Sequence, residues 1–409
     1  MEALYERLAE AASGLAVDGA IRVTARYEPV AGVGTPVSPP TVKVTRTVRD
    51  LATGKEREVD GPGQLFEDRW VGQESAEVVL LDQRQSQANR CETALLEAVD
   101  QGDVLLPHLA LHVSAEGREL RMTNLDAPHR SRDAYFRDAL DESGAKFDDT
   151  VAGRALRDTG TGDVRAFLES APSDLVYGLW DSHRKRRVQL KVPRAYTSEM
   201  VGLRPLSGKR AAGRLDVWNF PGDNVELTAD GWRPVDGAGK KSGKGKTLKA
   251  SAVGHGMIPP VAGMGGVTVQ AIERNASLAL AGLRALRFGD ASKEYVRAAR
   301  ALLAALALLG DRLAFAAPAV RLRSGCDLLL VSERIEWVGR GREGVAVTEP
   351  LELETAGQAL ELFEFARSRA EEAGLMWSKE PVRLRPNAQV QQAIERSFRL
   401  EGIGEAEGE

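Results

Sequence analysis

The chain has 409 residues, with 55 Lys and Arg against 59 Asp and Glu (net charge −4), 43% hydrophobic residues and only 5% aromatic ones. That length allows two or three average domains or one domain enlarged by insertions, with enough apolar residues for a sizeable core. The scarcity of aromatics argues against a protein that grips bases mainly by stacking, and two cysteines, Cys91 and Cys326, exclude a disulfide framework and a cysteine-rich zinc site.

The first residues, Met-Glu-Ala-Leu-Tyr-Glu-Arg-Leu, lack a basic segment followed by an apolar core, and the longest apolar run, Ala301 to Leu309, is too short to span a bilayer. The expectation is a soluble cytoplasmic protein with reduced, buried thiols. Residues 2–12 read as a short amphipathic helix, and Ile21 to Tyr27 alternates as a half-buried strand does. After a Gly/Pro-rich connection from Glu28 to Pro40, Thr41 to Val48 and Glu56 to Val59 read as a hairpin projecting from the body. Glu77 to Leu81 is a further strand ending at Asp82. The polar run Gln83 to Arg90 then enters a helix capped by Ser86, with Arg84, Gln87, Asn89 and Arg90 suited to a ligand rich in phosphates and hydroxyls, or simply to a polar helix start.

Val104 to Val113 reads as a strand with a turn at Glu116-Gly117. A helix is expected to open near Pro128 and run to about Asp141, which would place His129, Arg130 and Arg132 at an anion-favouring N-terminus. Asp, His and Ser within this stretch do not make a triad, since no nucleophile elbow accompanies them. Val151 to Ser170 reads as one amphipathic helix and Leu175 to Trp180 as a strand. There follows a stripe of six basic residues without an acid, Arg184, Lys185, Arg186, Arg187, Lys191 and Arg194, set between apolar runs as a charged connection between two strands would be. Such a connection is a natural holder of a phosphate backbone, and a solvated hairpin tip is the plainer reading.

Beyond Gly202 the chain reads as irregular, with a short strand at Leu215 to Trp218 and a hairpin over Val225 to Val235. The segment containing Lys240, Lys241, Lys244 and Lys246 ends in Gly245-Lys246-Thr247, but Lys240 stands where a P-loop needs its first glycine and no apolar strand feeds it. It reads as a basic linker or a nucleic-acid contact that orders on binding. A glycine-rich stretch around His255, Gly265 and Gly266 lets a backbone approach closely, whether that of a neighbouring strand or of a ligand. Val267 to Ile272 reads as a strand, Ala276 to Phe288 as an apolar helix, and Glu294 to Leu309 as a helix apolar nearly all round and therefore buried. Val320 to Arg323 and Leu328 to Val331 read as strands, Leu351 to Glu372 contains a helix, and the acidic tail Glu401 to Glu409 frays. Strands and helices alternate without a fixed period, which indicates an α/β domain.

Five stretches in order carry a resemblance: Leu81-Asp82 with Gln85 to Arg90; Leu125 to Arg130 with Arg137-Asp138; Trp180-Asp181-Ser182 with Pro193-Arg194 and Ser198 to Gly202; Gly254-His255-Gly256 with Gly265 to Thr268; and Leu322 to Leu328. Together they resemble the RAMP backbone subunit, of Cas-seven type, of type I-U (I-G) CRISPR Cascade effectors. The resemblance implies an α+β fold: an RRM-like, ferredoxin-like palm with inserted fingers and a thumb hairpin. Residues 1–409 would then be a single RAMP domain, with residues 28–76 a hairpin or thumb insertion, 204–250 an irregular basic insertion and 333–409 a C-terminal extension.

Implied partners are a CRISPR RNA, target DNA, further copies of the chain in a helical filament, a large subunit and a fused guide-processing RAMP subunit. The protein would read shape while base pairing reads sequence. The implied guide-contacting residues are those singled out above, Ser198 included. The function expected is a non-catalytic scaffold without cofactor or metal. Its rival is an RNA-cleaving RAMP of the type III kind, for which Asp82, Asp126 and Asp181 are candidates; each of these is also well placed to cap or turn the chain. The departures from the family pattern are the basic run Arg184 to Lys191 where relatives are often glycine-rich, and Met257 where asparagine is expected.

Overall fold

The computed structural model describes residues 1–14, 17–49, 56–181, 190–218, 224–228, 231–235, 247–343 and 345–400. Helix α1 (Glu2–Ser13) precedes strand β1 (Asp18–Pro29), a separate hairpin of β2 (Val42–Arg49) and β3 (Glu56–Gly63), then β4 (Phe66–Val71) and β5 (Glu74–Asp82), which passes almost directly into α2 (Arg84–Gln101). Next come β6 (Leu109–Ala115), β7 (Arg118–Thr123), α3 (Ala134–Arg137), β8 (Ala139–Asp141), α4 (Val151–Asp158), α5 (Arg165–Ser170), α6 (Pro172–Tyr177) and the two-residue strands β9 (Leu179–Trp180) and β10 (Lys191–Val192). Strand β11 (Tyr196–Leu203) continues into β12 (Leu206–Arg214). Beyond it lie β13 (Asn224–Thr228), β14 (Gly231–Pro234) and β15 (Thr247–Lys249), and β16 (Ile258–Thr268) returns into β17 (Ala271–Ala279). The chain ends with α7 (Leu280–Ala285), α8 (Lys293–Phe315), β18 (Ala319–Arg323), β19 (Cys326–Arg342), β20 (Val345–Pro350), α9 (Ala356–Glu372), β21 (Val382–Pro386) and α10 (Ala388–Leu400).

The principal sheet runs β18-β19-β1-β17-β11-β5-β4, with β20 also pairing with β19. Its centre contains two strand-helix-strand units, β1 to α2 to β11 and β17 to α8 to β19, whose four strands stand in the spatial order fourth, first, third, second. Every neighbouring pair among them is antiparallel. This is the ferredoxin-like arrangement, and it makes the fold α+β rather than a parallel α/β sheet. Alternation in β1 points Ile21, Val23, Ala25 and Tyr27 to one face, where Ile21 pairs with Leu278 and Val23 with Ala276. Burying that face holds the register, because a one-residue slip would turn all four to solvent. Helix α8 lies under it, buried from Ala298 to Arg312, and is covered in turn by α1, α2 and α9. That encirclement explains a helix apolar nearly all round.

A second sheet, β7-β6-β21-β8, ties the end of the chain to its middle through the parallel pair β6 and β21. Strands β12 and β16 form a two-stranded arm, with the small sheet β14-β13-β15 beyond its far end. The segment after Gly202 is therefore more regular than its composition suggests, although Leu215 to Trp218 forms no strand. Among the described residues, no helix is long and apolar enough to cross a membrane.

Several elements differ from the sequence reading for local reasons. The N-cap of α2 is Gln83, not Ser86; the buried Asp82 carboxylate accepts hydrogen bonds from Gln87 and Arg90 in the first turns. The helix expected from Pro128 does not form. Asp126 and Asp133 bond nearby backbone amides and Arg130 takes a left-handed φ of 51°, leaving a 3-10 turn and a single α turn. Residues 151–170 divide into α4 and α5 around Gly160 and Gly162. Pro172 starts α6 where a strand was read. Residues 276–279 stay extended because β1 and β11 flank them on both sides.

Candidate nucleic-acid interface

The β9–β10 pair brings Trp180 opposite Lys191 and Leu179 opposite Val192, so two short strands do frame the basic connection. Arg184, Lys185, Arg186 and Arg187 lie outside the described residues, as do Lys240, Lys241, Lys244 and Lys246. Beside the pair opens a cavity of about 390 Å³, lined by Pro128, His129, Arg130, Trp180, Lys191, Pro193 and Arg194 over an apolar floor of Tyr177, Leu179 and Val192. That volume lies within the range of sites that enclose a small ligand or part of a larger one. Two stretches more than fifty residues apart thus contribute cations to one concavity.

Each wall has a cause. Gly178 sits at φ 88°, where a Cβ would stand 2.9 Å from Arg194 Cγ and 3.1 Å from the Val192 carbonyl, so only glycine lets the arginine pass so close. Arg194 Nε donates to the Tyr177 carbonyl at 3.2 Å, which turns the guanidinium along the cavity. Lys191 Nζ lies 5.5 Å from the centroid of the Trp180 ring, within cation–π reach. Arg130 donates to Glu92 through Nε (2.6 Å) and Nη2 (2.8 Å), and to the Gly178 carbonyl through Nη1 (3.1 Å). Burial lowers the proton affinity of Arg194, and the charges of Arg130 and Arg84 lower it further, as expected of cations gathered without enough counter-charge. Such a group attracts an anion that supplies the missing charge.

The other predicted residues have different fates. Arg84 and Asn89 lie exposed on α2, Arg84 pairing at 3.3 Å with Glu199. Arg90 is spent on Asp82 and on the carbonyls of Arg321 and Leu322, sewing α2 to β18. Gln87 and Ser198 are buried and bonded to each other at 2.7 Å, so they face no ligand. They belong to an internal network in which Arg274 reaches Ser198 (3.1 Å), the Tyr196 hydroxyl (2.8 Å) and Asp311, stacks on Phe315 and adjoins Arg312 and Glu333. Arg132 is likewise interior, donating to the Leu156 carbonyl at 2.6 Å and lying over Phe167.

His255, Gly265 and Gly266 belong to the arm. His255 packs on Trp232, in a turn that Arg214 and Asp216 hold through the backbone of Gly254 and Gly256. A Cβ on Gly265 would meet Gly208 at 2.8 Å, and one on Gly266 would meet the Val37 carbonyl at 2.8 Å, so these glycines serve strand packing. Sequence reasoning missed Glu92, Gly178 and Trp180 as parts of the site. Trp180 announced itself by standing at the head of the basic stripe, whereas Glu92 looks like any polar residue of a surface helix.

Residues 21–204 match the family model described as CRISPR-associated protein GSU0053, a stretch that includes both sides of the cavity. Over that segment, which is under half of its length, the chain is similar to that family. Among solved structures, a chain of a "CRISPR RNA-guided surveillance complex, pre-nicking" aligns over 92% of this chain and 99% of its own length at 10% identity, with a TM-score of 0.29. No curated protein matches the chain.

Proposed function

We propose that the chain is a non-catalytic, CRISPR RNA-binding backbone subunit of a type I-G Cascade-like effector, polymerising along the guide and presenting it for pairing with target DNA. The observation that carries this reading is the convergence of His129, Arg130, Lys191 and Arg194 on one cavity inside the CRISPR-associated segment. Cations arranged around a partly apolar concavity suit a sugar-phosphate backbone. The implied companions are further copies of the chain, a large subunit and a guide-processing subunit. The candidate acids of the cleaving alternative support a scaffold: Asp82 is buried against Arg90, Asp181 is buried 3.9 Å from Arg132, and Asp126 closes a turn on the Thr123 amide.

The test is fluorescence anisotropy of a labelled single-stranded RNA over a salt series, with the wild type and with Lys191→Glu combined with Arg194→Glu. Loss of two phosphate contacts reduces the slope of log K against log salt by ~1.4, at ~0.7 per contact. A variant with the wild-type slope removes the cavity from the binding surface. Mass photometry with a CRISPR RNA then reads assembly as successive additions of 44.2 kDa.

A further inference from the structure

The cavity wall contains an acid that a simple anion site has no use for. Glu92 sits in the third turn of α2 and is 1% exposed, yet it faces the cationic cavity through Arg130. Its two oxygens take Nε and Nη2 of that guanidinium side-on, and the Gly178 carbonyl takes Nη1. Three of the five N–H donors of Arg130 are used in these contacts, which leaves two for whatever enters. The backbone of Arg130 holds a left-handed φ of 51°, uncommon for a residue with a Cβ, and such conformations gather where a side chain must be aimed.

We propose that Glu92 is a positioning residue of this cavity: it fixes Arg130 at the wall and, when it takes up a proton, leaves the cavity one charge more positive and a tighter binder of phosphate. The inference rests on the reading of the cavity as a guide-binding site. Burial pushes the Glu92 carboxyl up to about 7 against the pull of Arg130, and the neighbouring Asp174 carboxylate adds to the rise. Asp174 cannot substitute for Glu92, being engaged by Ser131 and Asn124. The charged and titratable groups around the pair are Arg130 from the turn after Pro128, Asp174 and Tyr177 from α6, Arg194 ahead of β11, and Cys91 on α2 itself. Arg84 faces Arg194 in turn, and His129 and Lys191 complete the rim.

The sign follows from linkage. A phosphate beside Arg130 raises the proton affinity of Glu92 further, so binding takes up protons and affinity rises as pH falls through about 7. One added charge, partly screened, changes affinity by roughly three- to tenfold.

The experiment measures anisotropy of the same labelled RNA from pH 6 to 8.5 in a His129→Gln background, so that the exposed imidazole does not contribute. Affinity is expected to rise as pH falls in that background, and Glu92→Gln is expected to flatten the profile near its low-pH level. A Glu92→Gln profile that follows its parent's overturns the inference, while weakened binding by the Lys191/Arg194 charge reversal keeps the cavity reading intact. If the charge reversal leaves affinity unchanged, or RNA does not bind at any pH, both fall. Should Glu92→Gln fail to fold, calorimetry of the His129→Gln protein at pH 7 in buffers of different ionisation enthalpy decides. Net proton uptake on binding supports the proposal and its absence overturns it.

Discussion

Two buried arginine–carboxylate pairs, Arg274–Asp311 in the core and Arg130–Glu92 at the cavity wall, share a chemistry and differ in balance. Burial alone would raise Asp311, but Arg274 and Arg312 together with the Tyr196 hydroxyl hold it well below the usual carboxylate range. Glu92 is bonded by one guanidinium, that of Arg130, with Arg194 and a second acid nearby, and burial carries it up to about 7. In the core Asp311 is bonded by two guanidiniums, those of Arg274 and Arg312, with Glu333 balancing the second, and it stays ionised, fixing four elements to one another. The wall pair is poised near neutrality, which allows its charge to respond to what arrives. Arginine count therefore says little about binding in this chain; whether a buried acid is bonded by one guanidinium or by two says more.

The sharpest way to break the comparison is Arg274→Met. Removing one partner leaves Asp311 buried with only Arg312, and stability falls by about 3–5 kcal/mol in urea unfolding. A loss below ~1 kcal/mol would mean that the network is not what joins α8 to the sheet. The same site has a pH signature. Because the Asp311 proton affinity is depressed in the folded state, its contribution is present above the unfolded carboxylate pKa of about 3.9 and is lost as pH falls below it. Thermal melts between pH 6 and pH 3 show that loss in the wild type and a shallower one in Arg274→Met.

Gly310→Ala comes next in size. The added Cβ would stand 2.1 Å from the buried Tyr177 hydroxyl, beside Leu95 and Cys91, and such overpacking costs about 1–3 kcal/mol, read as a lower Tm. An unchanged Tm would show that Tyr177 can yield, and with it the floor of the cavity. Smallest is Arg26→Gln on the solvent face of the sheet. Its pair with Glu273 at 3.3 Å is exposed, so stability changes by less than ~1 kcal/mol, and a larger effect would place that face in an interface.

Much of the palm was legible. Alternation marked β1, and a helix apolar all round marked α8 as the buried centre. The site was legible only where its residues are close in sequence: the basic stripe was found because Lys191 and Arg194 stand together beyond Trp180. What joins Gln87, Ser198, Arg274 and Asp311 is tertiary, since each comes from a different element and none carries a local sign of burial. Residues 126–133 misled because Pro128 is a good helix starter, while two aspartates close by compete for the backbone that a helix would need. The glycines of β16 read equally well as ligand-facing or strand-facing, and only Gly208 and Val37 across the gap decide.

The arm has a further consequence. Strands β12 and β16 spring from β11 and β17, which are themselves neighbours in the palm, with two residues at each foot. Nine residues of β12 carry its end about 30 Å outward. A ladder rooted in this way can be lengthened or shortened by matched pairs of residues without moving the palm or its cavity, and the small sheet beyond it can be exchanged as a unit. The reach of the tool is thereby separated from the grip of the handle.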